Sequence, residues 1–211
     1  MFITFEGIEG SGKTTQIKQV HHRLISLGHP VTLTREPGGT RIGEKIRSIL
    51  LDPESRRMDP LAELLLYFAD RAQHLGETVQ KALSDGRWVL CDRYFDATLA
   101  YQGYARGLDV DWVVQLHQLI FNDFKADLTF LLDLPPQVGL DRAWRQINKG
   151  ERVAGETRFE EETLKFHEKV RQGYLDLARR EPQRFKIIDA MQEPDRITEA
   201  ILSILSKLHQ G

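Results

Sequence analysis

Cysteine is nearly absent: Cys91 stands alone among 211 residues, so no internal disulfide can staple the fold, which fits a reducing compartment. No motif surrounds Cys91, and it reads as a small buried strand residue rather than a nucleophile. Long apolar runs are missing too. No stretch reaches the roughly 18 residues that a membrane-spanning helix needs, so no membrane association is expected. The opening Met1-Phe2-Ile3-Thr4-Phe5 has no basic flank and reads as a first strand rather than a signal peptide. The expectation is a cytoplasmic protein. Charge of one sign is also lacking: 29 Lys+Arg against 31 Asp+Glu give a formal net charge of −2, which offers no global grip on nucleic acid or anionic lipid. Any anionic ligand must be held by a local cluster of cations. Repeats, low-complexity segments and linkers rich enough to divide domains are absent as well. With 41% hydrophobic and 28% charged residues, the chain has an ordinary globular composition, and its length suits one domain spanning residues 1–211.

What is present alternates strand, loop and helix, the pattern of an α/β fold with a parallel sheet flanked by helices. Five β-rich runs, Phe2–Phe5, Val31–Thr34, Trp88–Cys91, Leu128–Asp133 and Phe185–Ile188, predict a five-stranded sheet. Ile17, Val20, Leu24 and Leu27 share one helical face, with Gly28 as a stop. Asp59-Pro60 predicts an N-cap and a first helical residue. Asp111 is the expected cap of a helix over Trp112–Phe121, with Val113, Leu116, His117 and Ile120 on one face. Pro135-Pro136 closes the fourth strand and opens another helix. Ile197, Ile201, Ile204 and Leu205 form the apolar stripe of the last helix.

The strongest motif is Gly7-Ile8-Glu9-Gly10-Ser11-Gly12-Lys13-Thr14, a full G-x-x-x-x-G-K-T between a strand and a helix. Its glycines let the backbone wrap so that N–H groups point at phosphate oxygens, and the helix N-terminus adds its positive dipole end. Lys13 is expected on the β- and γ-phosphates of ATP and the Thr14 hydroxyl on Mg²⁺. A P-loop NTPase fold in three layers follows. A GTPase would need N-K-x-D; Asn148-Lys149-Gly150-Glu151 ends in Glu, follows no strand and is set aside.

Further motifs narrow the chemistry. Thr34-Arg35-Glu36-Pro37-Gly38-Gly39-Thr40 puts Arg35 at a strand's carboxyl end, where ligands bind in open α/β sheets. Phe68 and Arg71, three apart on a helix, share a face suited to stacking a base and clamping a phosphate. The third strand runs into Asp92-Arg93-Tyr94, a carboxylate placed to order Mg²⁺ and a guanidinium fork for phosphate. Thr98, Tyr101 and Gln102 follow at near-helical spacing. The segment 142–158 carries Arg142, Arg145, Lys149, Arg152 and Arg158, with Gly150 and Gly155 breaking any helix. Because the P-loop has no cation beyond Lys13, this segment is expected to close over ATP as a short cationic lid.

In this order, the P-loop, T-R-E-P-G-G-T, the Phe68–Arg71 pair, D-R-Y and A-Y-Q resemble the bacterial form of the thymidylate kinase family. Leu128–Pro135, Arg158-Phe159-Glu160 and Ile188-Asp189-Ala190 extend the likeness over nearly the whole chain. The resemblance implies transfer of the γ-phosphoryl group of ATP to dTMP, with Mg²⁺, in a homodimer. It implies a thymine stack on Phe68, a monophosphate gripped by Arg71 and Arg93 with Arg35 close by, and base contacts from Thr98 and Gln102. Tyr101 would crowd the sugar 2′ position, Glu9 would meet the 3′-hydroxyl, and Asp92 would help place Mg²⁺. Catalytic roles fall to Lys13, Asp92 and Arg93 and to the lid arginines 142, 145, 152 and 158. Ala97 stands where the family often has Ser, which leaves one polar contact near the base open. The stretch Gln146–Thr157 is longer than a compact bacterial lid, which leaves open which lid arginine reaches the phosphoryl group. The rival readings are a kinase of another nucleoside monophosphate and a non-catalytic ATP-driven switch; the latter leaves Arg35, Arg71 and Arg93 without a use.

Overall fold

A computed structural model describes residues 1–151 and 155–209. The chain runs β1 (Phe2–Glu6), α1 (Lys13–Ser26), β2 (Val31–Arg35), α2 (Arg41–Leu51), α3 (Pro60–His74), α4 (Gln80–Ser84) and β3 (Trp88–Asp92). It continues through α5 (Phe95–Thr98), α6 (Val110–Phe121), β4 (Leu128–Asp133), α7 (Pro136–Asn148), α8 (Leu164–Arg180), β5 (Phe185–Asp189) and α9 (Pro194–His209). The five strands are all parallel, in the order β2-β3-β1-β4-β5. β1 is buried at every residue, as expected of a central strand covered by helices on both faces. All five strands start where the sequence predicts, and four run one residue further.

Parallel register sends every strand's carboxyl end to one edge of the sheet. Asp92 pairs with Phe5 on one side and with Arg35 on the other, so the P-loop, the β2 arginine and the β3 carboxylate meet there. Two segments wind more loosely than an α-helix. Leu75–Val79 joins α3 to α4, and Leu99–Ala105 continues α5 as a π-type turn. Such turns shift side-chain register and recur at functional sites; this one carries Tyr101 and Gln102.

Local signals explain most helix ends. Asp59 accepts from the backbone N–H groups of Leu61 and Ala62, with Pro60 in the first turn. Gly28 adopts φ 87° just after α1. Three expectations need correction. Asp109, not Asp111, caps α6, accepting from the Trp112 N–H at 2.8 Å, so the helix starts two residues early. Leu27 lies past the end of α1 and is 69% exposed rather than part of its buried stripe. Arg142 and Arg145 sit on α7, a continuous helix to Asn148, because Gly150 acts only after the last turn. Cys91 is buried on β3, as expected.

Candidate active site

The sheet's carboxyl edge opens on a cleft of about 620 Å³ that runs from the P-loop to α3 and the π-type turn. At one end the loop leaves β1 with Gly7, Gly10 and Gly12 at φ 140°, 67° and 90°. A Cβ on Gly10 would lie 1.9 Å from the carbonyl oxygen of Gly139, so this close approach to α7 requires glycine. Ile8 and Ser11 are buried beneath the loop. The Lys13 ammonium folds over it, donating to the carbonyls of Gly7 (2.9 Å) and Ile8 (2.7 Å) and to Ser11 Oγ (3.2 Å). Burial, and then the charge of Arg93, push Lys13 down to about 7. The Thr14 hydroxyl donates to Asp92 Oδ2 at 2.9 Å. A hydroxyl and a carboxylate at the end of β3 are a hard-oxygen pair that fits Mg²⁺ shared with phosphate oxygens and water.

Between the two ends stands Arg93, which adopts φ 71°, a region that side-chain-bearing residues seldom occupy. Its guanidinium holds that conformation by donating to the Gly7 carbonyl (2.7 Å) and to Glu9 Oε1 (2.9 Å), and it packs over the Tyr101 ring. Glu9 also accepts from the Tyr101 hydroxyl at 2.6 Å. Its other oxygen lies 3.1 Å from His167 Nδ1, an ion pair when the imidazole is protonated. Burial alone would raise Glu9, but His167 and Arg93 hold it well below the usual carboxylate range. The converse holds for His167: burial would lower it, and Glu9 keeps it raised.

The far end is built around Arg71, buried at 1% exposure. Its Nε donates to Glu36 Oε2 (3.0 Å) and its Nη2 to Thr98 Oγ1 (2.9 Å), and the guanidinium lies 4.9 Å above the Tyr94 ring. Behind Glu36, His74 Nδ1 is 2.8 Å from Oε1, and its Nε2 is 2.7 Å from the Thr34 hydroxyl. This buried chain fixes the Arg71 fork while Nη1 keeps no partner among the described residues. Gln102 Nε2 donates to Glu63 Oε1 at 2.7 Å. Ala97 lines the cleft beside Thr98.

The structure therefore brings Glu9, Lys13, Thr14, Arg35, Arg71, Asp92, Arg93, Thr98, Tyr101 and Gln102 to one cleft. Arg35 lies at its rim, 44% exposed, with both oxygens of Glu44 at 3.0 Å. Phe68 does not reach the cleft. It is buried against Phe121 and His117, and the neighbouring Tyr67 lines the cleft instead. One residue is a rotation of about 100° on a helix. Tyr67 lies one full turn before Arg71, and that four-residue spacing is the signal that would have found it.

The lid arginines are also placed differently from expectation. Arg142 donates to the Ala190 carbonyl at 2.9 Å, Arg145 is exposed on α7, and neither lines the cleft. Arg158 is 2% exposed and is consumed by Glu63 and by the carbonyl of Leu50, so it is a packed interior cation and not a free one. Arg152 lies outside the described residues. A cation not anticipated from sequence does line the cleft. Arg47 on α2 donates to the Pro37 carbonyl (3.0 Å) and pairs with Glu156 at 2.7 Å. Arg47 follows Glu44 by three residues and so shares its helical face, a spacing visible in the sequence.

Residues 5–201 match the family model described as thymidylate kinase. The thymidylate kinase of Syntrophotalea carbinolica is 58% identical over 200 residues, covering 95% of this chain and 92% of the relative. That of Desulfosudis oleivorans is 50% identical over 208 residues, covering 99% and 97%. A crystal structure of thymidylate kinase from Ehrlichia chaffeensis superposes with a TM-score of 0.75 at 33% identity, covering 98% of each chain. With the family model matched over residues 5–201 and relatives at 50–58% identity over nearly the whole chain, the chain belongs to the thymidylate kinase family.

Proposed function

We propose that the single cleft performs the family's reaction, ATP + dTMP → dTDP + ADP, with donor and acceptor entering from opposite ends. The observation that carries this reading is the continuity of the cleft from Lys13 and Thr14 to Arg71, Thr98 and Gln102. Phosphoryl transfer between two phosphates needs alignment and charge neutralisation more than covalent chemistry, and the acceptor phosphate is already a nucleophile at neutral pH.

The donor end is Gly7–Thr14, including Ile8, Gly10, Ser11 and Gly12, whose backbone N–H groups cradle the phosphates. Lys13 would exchange its three oxygen partners in the loop for phosphate oxygens. Thr14 and Asp92 would hold Mg²⁺, which would supply positive charge against the phosphates. Arg93 spans the ends: it touches the P-loop carbonyl of Gly7 and faces the cleft, which suits a cation on the phosphates as they meet. Arg35 and Arg47 supply further positive charge for the acceptor monophosphate. Tyr67 takes the stacking role on the base, beside Arg71, Thr98 and Gln102. Glu9 and Tyr101 face the sugar. Arg142, Arg145 and Arg152 remain the lid candidates; Arg158 acts inside the fold.

The chain reads as one domain, with the lid segment at about residues 142–158, opening within α7. No described helix is long and apolar enough to cross a membrane; a cytoplasmic setting is part of this reading. A homodimer is supported by exposed apolar side chains on α2, α3 and α6, among them Ile42, Ile49, Leu61, Leu65, Trp112 and Leu119. ADP release measured with ATP and Mg²⁺ across dTMP, dUMP, dCMP, dGMP and CMP tests the substrate. dTMP is expected to drive the fastest turnover; activation by dGMP or CMP but not dTMP would overturn the reading.

A further inference from the structure

Glu63 is 0% exposed on α3 and does not line the cleft, yet it touches three polar neighbours, one of which, Gln102, does line it. Arg158 pairs with Oε2, Arg106 reaches both oxygens at 3.3 and 3.4 Å, and Gln102 Nε2 donates to Oε1 at 2.7 Å. Replacing such a buried cluster by apolar residues is often neutral or stabilising, so stability alone is a weak reason for it. We propose that Glu63 is a positioning residue for base selectivity: it holds the Gln102 amide so that its carbonyl oxygen is left to accept a ring N–H.

The physical argument starts from the near-identical shape of the two ends of an amide. A glutamine free to rotate offers either a donor or an acceptor to a base. A carboxylate between two guanidinium groups is an acceptor only. Beside it the amide nitrogen is the one end that fits, because two oxygens at 2.7 Å would repel. The other branch of Gln102, a side chain 1% exposed that lines the cleft, is then always the carbonyl. Arg71, whose Nη1 donor has no partner among the described residues, lines the same end of the cleft. One fixed acceptor and one fixed donor match a base edge of ring N–H and exocyclic carbonyl, as in thymine and uracil. Cytosine presents the inverse edge, a bare ring nitrogen and an amino group. It would set acceptor against acceptor and donor against donor in a desolvated site, where unpaired groups are costly. Buried Arg158, itself anchored on the Leu50 carbonyl, holds Oε2 from behind, so the carboxylate cannot swing to release the amide; Arg106 sits farther off, at 3.3 and 3.4 Å.

This inference rests on the reading above that Gln102 meets the base, and the test separates the two. Glu63→Gln keeps shape but gives the neighbour both a donor and an acceptor, so the Gln102 amide can turn over. Steady-state kinetics with ATP and Mg²⁺ would compare dTMP, dUMP and dCMP in wild type, Glu63→Gln and Arg106→Gln. In Glu63→Gln the dTMP-over-dCMP ratio of kcat/KM should fall at least about tenfold, through KM for both nucleotides. Arg106→Gln removes one guanidinium but leaves the carboxylate, so it should lower the melting temperature and keep the ratio. A wild-type ratio in Glu63→Gln, or an equal loss of the ratio in Arg106→Gln, overturns the proposal. A wild type that fails to phosphorylate dTMP would instead overturn the functional reading. Should Glu63→Gln not accumulate as folded protein, the Gln102 side-chain amide of isotope-labelled wild type decides by NMR. Its NH₂ protons should be protected from exchange before nucleotide is added and equally with dTMP. Protection that arises only with dTMP would mean that the amide nitrogen meets the base, and the proposal fails.

Discussion

Glu36→Gln removes one charge from a pair that is almost completely enclosed, with Arg71 at 1% and Glu36 at 2% side-chain exposure. The Arg71 guanidinium would then be buried without its counter-charge. Breaking such a pair from one side costs about 3–5 kcal/mol. The amide oxygen can still accept from Arg71 Nε, which places this change near the lower end, about 3 kcal/mol. For a chain of this length that corresponds to a fall in Tm of roughly 6–12 °C. Asp70 modulates the figure. Burial, and then the Glu36 charge, raise it to about 6, and removing Glu36 lets it ionise more readily beside Arg71. The functional effect should fall on binding: once Arg71 loses its anchor, KM for dTMP rises while KM for ATP holds. The assay is a thermal melt together with kinetics in both substrates, with Glu36→Gln/Arg71→Met as the double variant. The double variant should lose less stability than the sum of the two single ones, because the unpaired charge is gone. A Glu36→Gln melt within about 2 °C of wild type, with dTMP KM unchanged, would refute the reasoning.

Three further outcomes follow from the same geometry. Tyr67→Leu should raise KM for dTMP with Tm little changed, whereas Phe68→Ala, which empties a core position, should lower Tm, at a cost of about 3–5 kcal/mol; reversed effects would return the stacking role to Phe68. His167→Gln should change the pH dependence of stability. His167 is raised above its ordinary 6.5, so its contribution is full below 6.5 and is lost as pH rises through the raised value; Glu9, held low, contributes above the usual carboxylate range and loses its part only as acid reaches its lowered value. Melts from about pH 5 to about pH 9 should therefore show wild type and variant converging on the alkaline side, and a constant Tm difference would contradict the pair. Lys13→Met should abolish turnover while dTMP still binds by calorimetry, since the lysine serves only the donor end.

The sheet was readable because its buried parallel strands are short, mostly apolar runs set between helical patterns, and the P-loop was readable because its glycines have a backbone reason to be there. Asp59 was legible as a cap for the same local reason. Asp111 was the expected cap because it directly precedes Trp112, but any nearby aspartate can cap a helix, and the Asp109 contact to the Trp112 N–H decides. Tyr67 and Phe68 are adjacent aromatics, and composition does not say which one faces a ligand; the helix phase relative to Arg71 does. Long-range pairings were out of reach. Arg158 meets Glu63 across 95 residues and Arg47 meets Glu156 across 109, so a segment rich in arginine looked like a row of free cations when the described ones are mostly engaged by carboxylates or carbonyls elsewhere in the fold.

The central claim is that donor and acceptor occupy opposite ends of one cleft. A ligand joining adenosine to thymidine through a chain of phosphates tests it most directly, because it must fill both ends at once. Calorimetry should give one molecule bound per chain, and inhibition kinetics should show competition against both ATP and dTMP. Competition against one substrate alone, or two molecules bound per chain, would contradict the account.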